Sequence, residues 1–301
     1  MNRVSLPCSI TDLIPQKGKM GFDQTLIKAK LDDGESTAII NEDNIFLDDN
    51  HQLSNAVLIE YINQLTAAIK GNNRKNNNQT AQKGFFVGIQ EAEFLQTVYL
   101  ADLLTLKAFV TEEVAQVTFI QGIIERDGEK IAELVTKVYE VEDLSEFNLL
   151  TNNGQPFTEK NDVILNNNKP PAYLYSRMHR KLYTYLHDPK IGDDFISFNI
   201  ACPRDFEAFD GHFPGNPILP GIVLLEISKL ALELFMKKPV IFKNIKKMKI
   251  SGVVFPGQVI SCNIKIDRNG GPFLSFSAIF KERDGREISR SSGYFDEGRE
   301  L

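Results

Sequence analysis

Two stretches of the chain are apolar on nearly every side, and they predict two buried helices. The first covers residues 56–69 and reads AVLIEYINQLTAAI, and the second covers residues 222–236 and reads IVLLEISKLALELFM. The second stretch is long enough for about four helical turns. A helix without a polar face must be surrounded by protein, so we expect a sheet to wrap each one.

Runs of β-branched and aromatic residues after each predicted helix supply the strands of such a sheet. They cover residues 85–89, 103–110, 117–124 and 131–141 after the first helix, and 246–254, 258–266, 273–280 and 288–295 after the second. Residues 23–41 predict a further hairpin before the first helix, and residues 195–201 alternate like a strand. Asp127-Gly128 predicts a tight turn between two of these strands.

The two halves of the chain repeat each other. ERDGEKI at residues 125–131 parallels ERDGREI at residues 282–288, and VLIE at residues 57–60 parallels VLLE at residues 223–226. The two offsets differ slightly, as loops of different length would produce. The chain therefore predicts a duplicated unit of one helix and one sheet.

Domain boundaries follow from this repeat. We expect an N-terminal domain at residues 1–147, an Asn-rich linker at residues 148–169 and a C-terminal domain at residues 170–301. The polar, low-complexity residues 72–82 predict a mobile surface loop. Residues 173–187 predict a short helix that packs on the second domain.

The loop before the second helix carries the most specific motif, AFDGHFPGNPILPG at residues 208–221, followed by Glu226. The residue types and spacing resemble the active-site loop and central helix of hot-dog-fold 3-hydroxyacyl-acyl-carrier-protein dehydratases. The resemblance implies an α+β fold, a double hot dog in which each of two units wraps a long antiparallel sheet around a buried central helix. It also implies a hydro-lyase that converts a 3-hydroxyacyl thioester to a trans-2-enoyl thioester in fatty-acid or aryl-polyene type biosynthesis.

The two halves have diverged in complementary ways. Aligning them places Phe46 opposite His212, so the first half lacks the family's His, whereas its helix keeps Glu60 and Gln64 one turn apart. The second half keeps His212 but has Leu230 where the Gln would be. The first half resembles the His-less partner subunit of dehydratase pairs from bacterial aryl-polyene pigment pathways, and the second half would correspond to the His-bearing partner.

In the resembling family the His of one unit works with the carboxylate of its partner, which implies one composite site of His212 with Glu60. A His of near-neutral pKa suits removal of the α-proton, and a carboxyl in an apolar setting can stay protonated and act as the acid. The backbone N–H of Gly221 is the candidate oxyanion donor at the start of the helix. Gln64 would orient Glu60 or the leaving water, and Phe213 would help to position the substrate.

Other roles for these residues remain open. His212 could be a structural buried histidine, and Glu60 could be an interface carboxylate paired with a base. We expect Glu226 to be structural, in a pair with Lys229. A basic cluster that includes Lys243, Lys246 and Lys247 could dock an acidic acyl carrier protein or could be a solvated strand face.

Composition narrows the function classes. The 301 residues carry 34 Lys and Arg against 40 Asp and Glu, a net charge of −6 that argues against general nucleic-acid binding. No leader or spanning stretch is evident, so a cytoplasmic protein is expected. The three cysteines lack metal spacing and predict reduced structural thiols.

We expect no cofactor and no metal, and an acyl carrier protein bearing a 3-hydroxyacyl chain as the partner. Homo-oligomers of the double hot-dog unit are possible. The alternatives are an acyl thioesterase on the same fold and a non-catalytic acyl-binding partner subunit. The intact His212 argues against the non-catalytic alternative.

Overall fold

A computed structural model of the protein describes residues 4–79, 83–141, 165–212, 217–268 and 273–297. Its helices are α1 (Val57–Asn76), α2 (Arg177–Thr184) and α3 (Gly221–Met236). Its strands are β1 (Cys8–Ser9), β2 (Gln24–Ala29), β3 (Asp33–Ile39), β4 (Gln52–Leu53), β5 (Lys83–Phe94), β6 (Val98–Tyr99), β7 (Leu103–Val114), β8 (Val117–Arg126), β9 (Glu129–Val141), β10 (Leu186–Ile191), β11 (Phe195–Ile200), β12 (Val240–Ile250), β13 (Ile260–Asp267), β14 (Leu274–Glu282) and β15 (Glu287–Glu297).

Thirteen of these strands form one antiparallel sheet in the order β1-β2-β3-β7-β8-β9-β5-β12-β15-β14-β13-β11-β10. The first seven strands in this order come from the first half of the chain and the last six from the second half. The predicted turn at Asp127-Gly128 has positive φ at both residues, the backbone that a two-residue hairpin turn of this kind requires. The sheet confirms the double hot-dog architecture that the resemblance implied.

The two halves join in the middle of the sheet, where β5 pairs with β12. The register sets Ile245 opposite Ala92 and Lys249 opposite Gly88. A Cβ at Gly88 would lie 2.4 Å from the carbonyl oxygen of Met248, so a larger residue there would push the two strands apart. The seam is therefore part of the hydrogen-bonded sheet rather than a contact between two separate surfaces.

Helices α1 and α3 are the buried centres of the two units. α1 packs against β2, β3 and β7, whereas α3 packs against β11, β12 and β13. The side chains of both helices are buried around most of their circumference, as the apolar pattern predicts. The prediction of two wrapped helices is confirmed.

The first helix is longer than predicted. Residues 72–76, predicted as part of a mobile loop, form the last turn of α1, and Asn72 is buried. The side-chain amide of Asn73 donates to the carbonyl oxygens of Lys30 and Leu31, and Arg74 pairs with Glu140 at 2.8 Å. These long-range contacts hold a polar sequence in a helix, which local composition does not reveal.

The segment at residues 173–187 also differs from its prediction. Helix α2 is shorter than expected, and the chain turns directly into strand β10. Arg180 of α2 forms a bidentate ion pair with Asp49 of the first half, at 2.6 and 2.9 Å. Helix α2 therefore contacts both halves, whereas the sequence predicted packing on the second half alone.

The predicted linker at residues 148–169 lies mostly outside the described residues, so the domain boundaries stay a prediction. Among the residues that the structure describes, no helix combines the length and the apolar character needed to cross a membrane.

Candidate active site

One cavity of about 360 Å³ lies between the two halves. The first half contributes one face of α1, the segment before the first hairpin, and parts of β5, β8 and β9. The second half contributes the loop before α3, the start of α3 and the segment after β12. The polar and charged lining residues are Asp12, Gln16, Glu60, Asn63, Thr66, Lys70, Arg74, Thr118, Glu140 and His212.

The loop that carries His212 is held by the first half of the chain. Gly211, at φ +81°, packs so closely that a Cβ there would lie 1.8 Å from the carbonyl oxygen of Lys17. The Lys17 N–H donates to the Gly211 carbonyl at 3.1 Å, and the Met20 N–H donates to the Asp210 carbonyl at 3.3 Å. Only glycine permits this approach, and the contact fixes the backbone directly before His212.

His212 is buried at the cavity wall, with Nδ1 3.0 Å from the carbonyl oxygen of Ile218. An Nδ1–H that donates to this carbonyl leaves the basic lone pair on Nε2. Burial lowers the pKa of His212 to about 4, although the hydrogen bond to Ile218 partly opposes this effect. The imidazole is therefore neutral at physiological pH and able to accept a proton.

Glu60 is buried in the first turn of α1 and lines the same cavity as His212. Burial raises the pKa of its carboxyl to about 7, and a hydrogen bond from Gln64 partly opposes the rise. A large fraction of Glu60 is thus protonated near neutral pH. The two groups have the protonation states required of a base and an acid.

Gln64 fixes the orientation of Glu60 from the next turn of α1. Its Nε2 donates to Glu60 Oε1 at 2.9 Å and to the Met20 carbonyl at 2.8 Å. Its Oε1 accepts from the Phe22 N–H at 3.1 Å, so the amide is held at both ends. Because Oε1 of Glu60 accepts from Gln64, Oε2 is left to carry the proton.

Gly221 is the first residue of α3 and lines the cavity. A Cβ at this position would lie 2.6 Å from Ile250 Cδ1 and 2.7 Å from Phe86 Cδ1, so the site accepts only glycine without rearrangement. The N–H groups at a helix start carry a partial positive charge and suit a developing oxyanion. Phe213, predicted to position the substrate, lies outside the described residues.

Glu226 faces a different environment from Glu60. It does not line the cavity, and its Oε1 accepts from Ser54 Oγ at 2.5 Å. Its Oε2 lies 2.8 Å from Nε2 of the buried His179, whose Nδ1 lies 2.7 Å from Glu233 Oε2. The expected pair with Lys229 is replaced as the principal contact by His179, which the motif spacing gave no reason to single out.

Lys243, Lys246 and Lys247 lie on β12, and none of the three lines the cavity. Lys246 Nζ lies 4.3 Å above the ring of Tyr294, and Lys243 lies 3.9 Å from Asp296. The cations that do line the cavity are Lys70 and Arg74, each of which pairs with Glu140. The sequence analysis missed both residues. Arg74 belongs to the predicted loop at residues 72–82, and Lys70 lies just before it.

Two protein-family models match separate parts of the chain. Residues 8–148 match the ApeP-like model, described as ApeP dehydratase, and residues 189–291 match the ApeI-like model, described as ApeI dehydratase. Helix α2 lies between the two matched regions.

Curated relatives resemble part of the chain, and solved structures share its fold. A 3-hydroxyacyl-[acyl-carrier-protein] dehydratase from Oenococcus oeni is 35% identical over 77 residues, which cover 23% of this chain and 54% of the relative. The chain thus spans about half the length of the curated relatives it matches. The dehydratase domain of the polyketide PpsC from Mycobacterium tuberculosis has a TM-score of 0.54 at 11% identity, covering 90% of this chain and 96% of that domain.

An acyl-ACP thioesterase from Bacteroides thetaiotaomicron has a similar TM-score of 0.53 at 13% identity, covering 88% of this chain and 98% of the thioesterase. At such low identity these structures establish a shared fold and nothing about the reaction. The side chains of the cavity must discriminate between the two activities.

Proposed function

We propose, from the premise that the chain belongs to the hot-dog dehydratases, that it removes water from a 3-hydroxyacyl thioester to give a trans-2-enoyl thioester. The observation that carries the proposal is that His212 and Glu60, from opposite halves, line one cavity with pKa values displaced in opposite directions. Each half supplies one of the two groups, because Glu226 of the second half does not line the cavity. The reaction therefore uses the chain as one catalytic unit.

In the proposed reaction Nε2 of His212 removes the α-proton of the thioester, and the electron pair of that C–H bond forms the new double bond. The bond from carbon to the 3-hydroxyl breaks as Glu60 donates its proton to the leaving oxygen, which departs as water. The N–H of Gly221 stabilises the charge that develops on the thioester oxygen. Proton return from His212 to Glu60, directly or through water, restores the site.

The depressed pKa of His212 does not prevent this step. Burial disfavours an isolated imidazolium, but the elimination creates the imidazolium and the Glu60 carboxylate together. Two opposite charges attract strongly in a site with little water, which offsets much of the cost of burial. The base and the acid are therefore expected to act in one coupled step.

The proposed substrate class is based on the names of the related proteins. The curated relatives are named as acyl-carrier-protein dehydratases, and the family models carry the ApeP and ApeI descriptions. We therefore take the substrate as a 3-hydroxyacyl chain on an acyl carrier protein, in fatty-acid or aryl-polyene type biosynthesis. A cytoplasmic location and docking of the carrier on Lys243, Lys246 and Lys247 stay predictions.

The test is incubation of the protein with a 3-hydroxyacyl thioester of an acyl carrier protein, followed by intact mass measurement of the carrier. A dehydratase gives loss of one water with the acyl chain still attached. A thioesterase instead releases the free carrier thiol, and a non-catalytic binding subunit leaves the mass unchanged. Either of the last two results would overturn the proposal.

A further inference from the structure

Among the described residues that line the cavity, two buried side-chain atoms have no hydrogen-bond partner. They are Oε1 of Gln16 and Nδ2 of Asn63, on side chains that are 7% and 9% exposed. A buried donor or acceptor left unpaired costs about 1–3 kcal/mol. The other atoms of this kind among the described residues belong to Asn55, Asn244 and Ser289, none of which lines the cavity. The two atoms in the cavity thus point to a ligand.

Asn63 stands beside the proposed acid. It follows Glu60 by three residues on α1, so the two side chains share one face of the helix, about 4.5 Å apart along the axis. Asn63 Oδ1 accepts from the buried hydroxyl of Thr136 at 3.0 Å. That bond orients the amide and leaves Nδ2 as the group that the cavity must satisfy.

Gln16 belongs to a segment that runs along α1. At one end of this segment Leu13 packs on Gly71, where a Cβ would lie 2.4 Å from the Leu13 carbonyl oxygen. At the other end the carbonyl of Met20 accepts from Gln64. Gln16 lies between these contacts and next to Lys17. The Lys17 N–H donates to the Gly211 carbonyl in the loop that carries His212. The two unpaired atoms therefore belong to residues next to the two proposed catalytic groups, Asn63 beside Glu60 and Gln16 beside the loop of His212.

A ligand that satisfies both atoms must offer an acceptor to Asn63 and a donor to Gln16. A secondary amide offers both, on its carbonyl oxygen and on the neighbouring N–H group. Thioesters carried on phosphopantetheine have such an amide, separated from the sulfur by a short ethylene spacer. The thioester would lie between His212 and Glu60, which places the amide a few ångströms away along the cavity.

We propose that Gln16 and Asn63 bind the first amide of the pantetheine arm, with Asn63 Nδ2–H donating to its carbonyl and its N–H donating to Gln16 Oε1. This inference rests on the proposed function for its thioester substrate. Both residues are positioning residues, which hold the thioester in register with the base and the acid. Loss of either hydrogen bond changes the recognition of the arm, and leaves the proton transfers themselves intact.

The experiment compares two soluble substrates with the same 3-hydroxyacyl group. One is the N-acetylcysteamine thioester, which has the amide, and the other is an S-alkyl thioester of equal length without it. The wild-type protein should prefer the amide substrate in kcat/KM by about 10- to 100-fold, as expected for two hydrogen bonds of about 1 kcal/mol each. Asn63→Leu and Gln16→Leu should each reduce this preference by about 5-fold or more, because kcat/KM falls further for the amide substrate than for the alkyl thioester.

Asn244→Leu is the matched control, because Asn244 has an unpaired buried oxygen but lies outside the cavity. It should retain the full preference, and thermal unfolding of each variant shows whether it is folded. Equal kcat/KM values for the two substrates in the wild-type protein would overturn the inference, since water alone would then satisfy Gln16 and Asn63. An equal loss on both substrates in Asn63→Leu would overturn it as well.

Binding by calorimetry separates this inference from the dehydratase proposal. The ligands are the unreactive thioethers that correspond to the two substrates. Tighter binding of the amide thioether, lost in Asn63→Leu, supports the amide site even if neither thioester loses water. Equal affinity of the two thioethers would overturn it whether or not the protein is a dehydratase.

Discussion

Glu226 Oε2 lies 2.8 Å from Nε2 of His179, and both side chains are almost completely buried. Glu226 is the counterpart of Glu60 in the repeat, so each central helix places one carboxylate at the same position. Glu60 faces the cavity with His212, whereas Glu226 meets a histidine from helix α2 and the hydroxyl of Ser54. Two equivalent carboxylates have therefore acquired different surroundings, which implies different roles.

The first prediction concerns the composite site. His212→Ala and Glu60→Gln should each lower kcat by roughly 10²- to 10⁴-fold, the contribution typical of general acid–base groups. The double variant should be little worse than either single variant, because both groups serve one coupled step. Glu226→Gln is the control and should keep most of the activity. Activity lost at Glu226 but spared at Glu60, measured with the same substrate, would contradict the pairing across the halves.

The second prediction concerns pH. The competent form has neutral His212 and protonated Glu60, so kcat/KM should rise as pH increases through about 4 and fall as pH increases through about 7. Glu60→Gln should have a lower plateau without the alkaline decline, because an amide does not titrate. The check is a pH profile of both proteins over the range in which they remain folded. An alkaline limb that persists in Glu60→Gln would assign that limb to another group.

The third prediction concerns stability at the buried cluster. Burial by itself lowers the pKa of His179, but attraction to Glu233 and hydrogen bonds to Glu226 and Glu233 outweigh it and raise the pKa to about 9. The folded state thus holds this proton more tightly than the unfolded state. The stabilisation is complete below the unfolded pKa of about 6.5 and is lost as pH rises through about 9.

His179→Ala should lower the free energy of unfolding by about 3–5 kcal/mol at neutral pH, since it leaves the two buried carboxylates without their counter-ion. The measurement is denaturant unfolding at several pH values between neutrality and about 10. The wild-type protein should lose stability over this range, and the variant should lose much less. Similar slopes for the two proteins would show that His179 is not the group that titrates.

The fourth prediction concerns carrier docking. Lys246→Glu together with Lys247→Glu should raise KM for the carrier-linked substrate and leave kcat nearly unchanged, because surface charges mainly steer the encounter. KM for the N-acetylcysteamine substrate, which has no carrier, should not change. Lys265→Glu together with Lys281→Glu, on β13 and β14, is a control with the same charge change. If the salt dependence of kcat/KM is the same in the double variant and the wild type, the carrier docks elsewhere.

The fifth prediction concerns the connection between the halves. Limited proteolysis should cut first within the Asn-rich residues 152–168, and the nicked chain should stay associated through the pairing of β5 with β12. Gel filtration after cleavage, followed by mass measurement of the fragments, distinguishes one particle from two. Two separately eluting halves would show that the seam does not hold the protein together without the linker.

Most of the fold was predictable because burial leaves a direct signature in the sequence. A helix that is apolar on all sides has to be wrapped, and the repeated ERDG turn and helix motif showed that this happens twice. The end of α1 was mispredicted since Asn73 and Arg74 owe their helical place to contacts with Leu31 and Glu140, remote in sequence. Strand β10 was missed for a different reason, since its sequence, LHDPKI, contains a Pro and does not alternate between apolar and polar residues.

Most residues of the candidate site were also predictable from the sequence. The loop motif singled out His212 and Gly221, and the divergence of the halves singled out Glu60 as the carboxylate for His212. The structure places all three at one cavity, while their chemical roles stay predictions. His179 could not be paired with Glu226 in advance, because nothing in local spacing links α2 to the interior of α3.

The strand seam at the middle of the sheet has a consequence for how the protein behaves on dilution. In a dehydratase built from two separate subunits, a site shared between them exists only while the subunits are associated, so specific activity falls at low concentration. Here the half that carries His212 is tethered to the half that carries Glu60, so their effective concentration is set by the chain itself. Turnover per chain should therefore be independent of enzyme concentration. The single chain also fixes the ratio of the two halves at one to one.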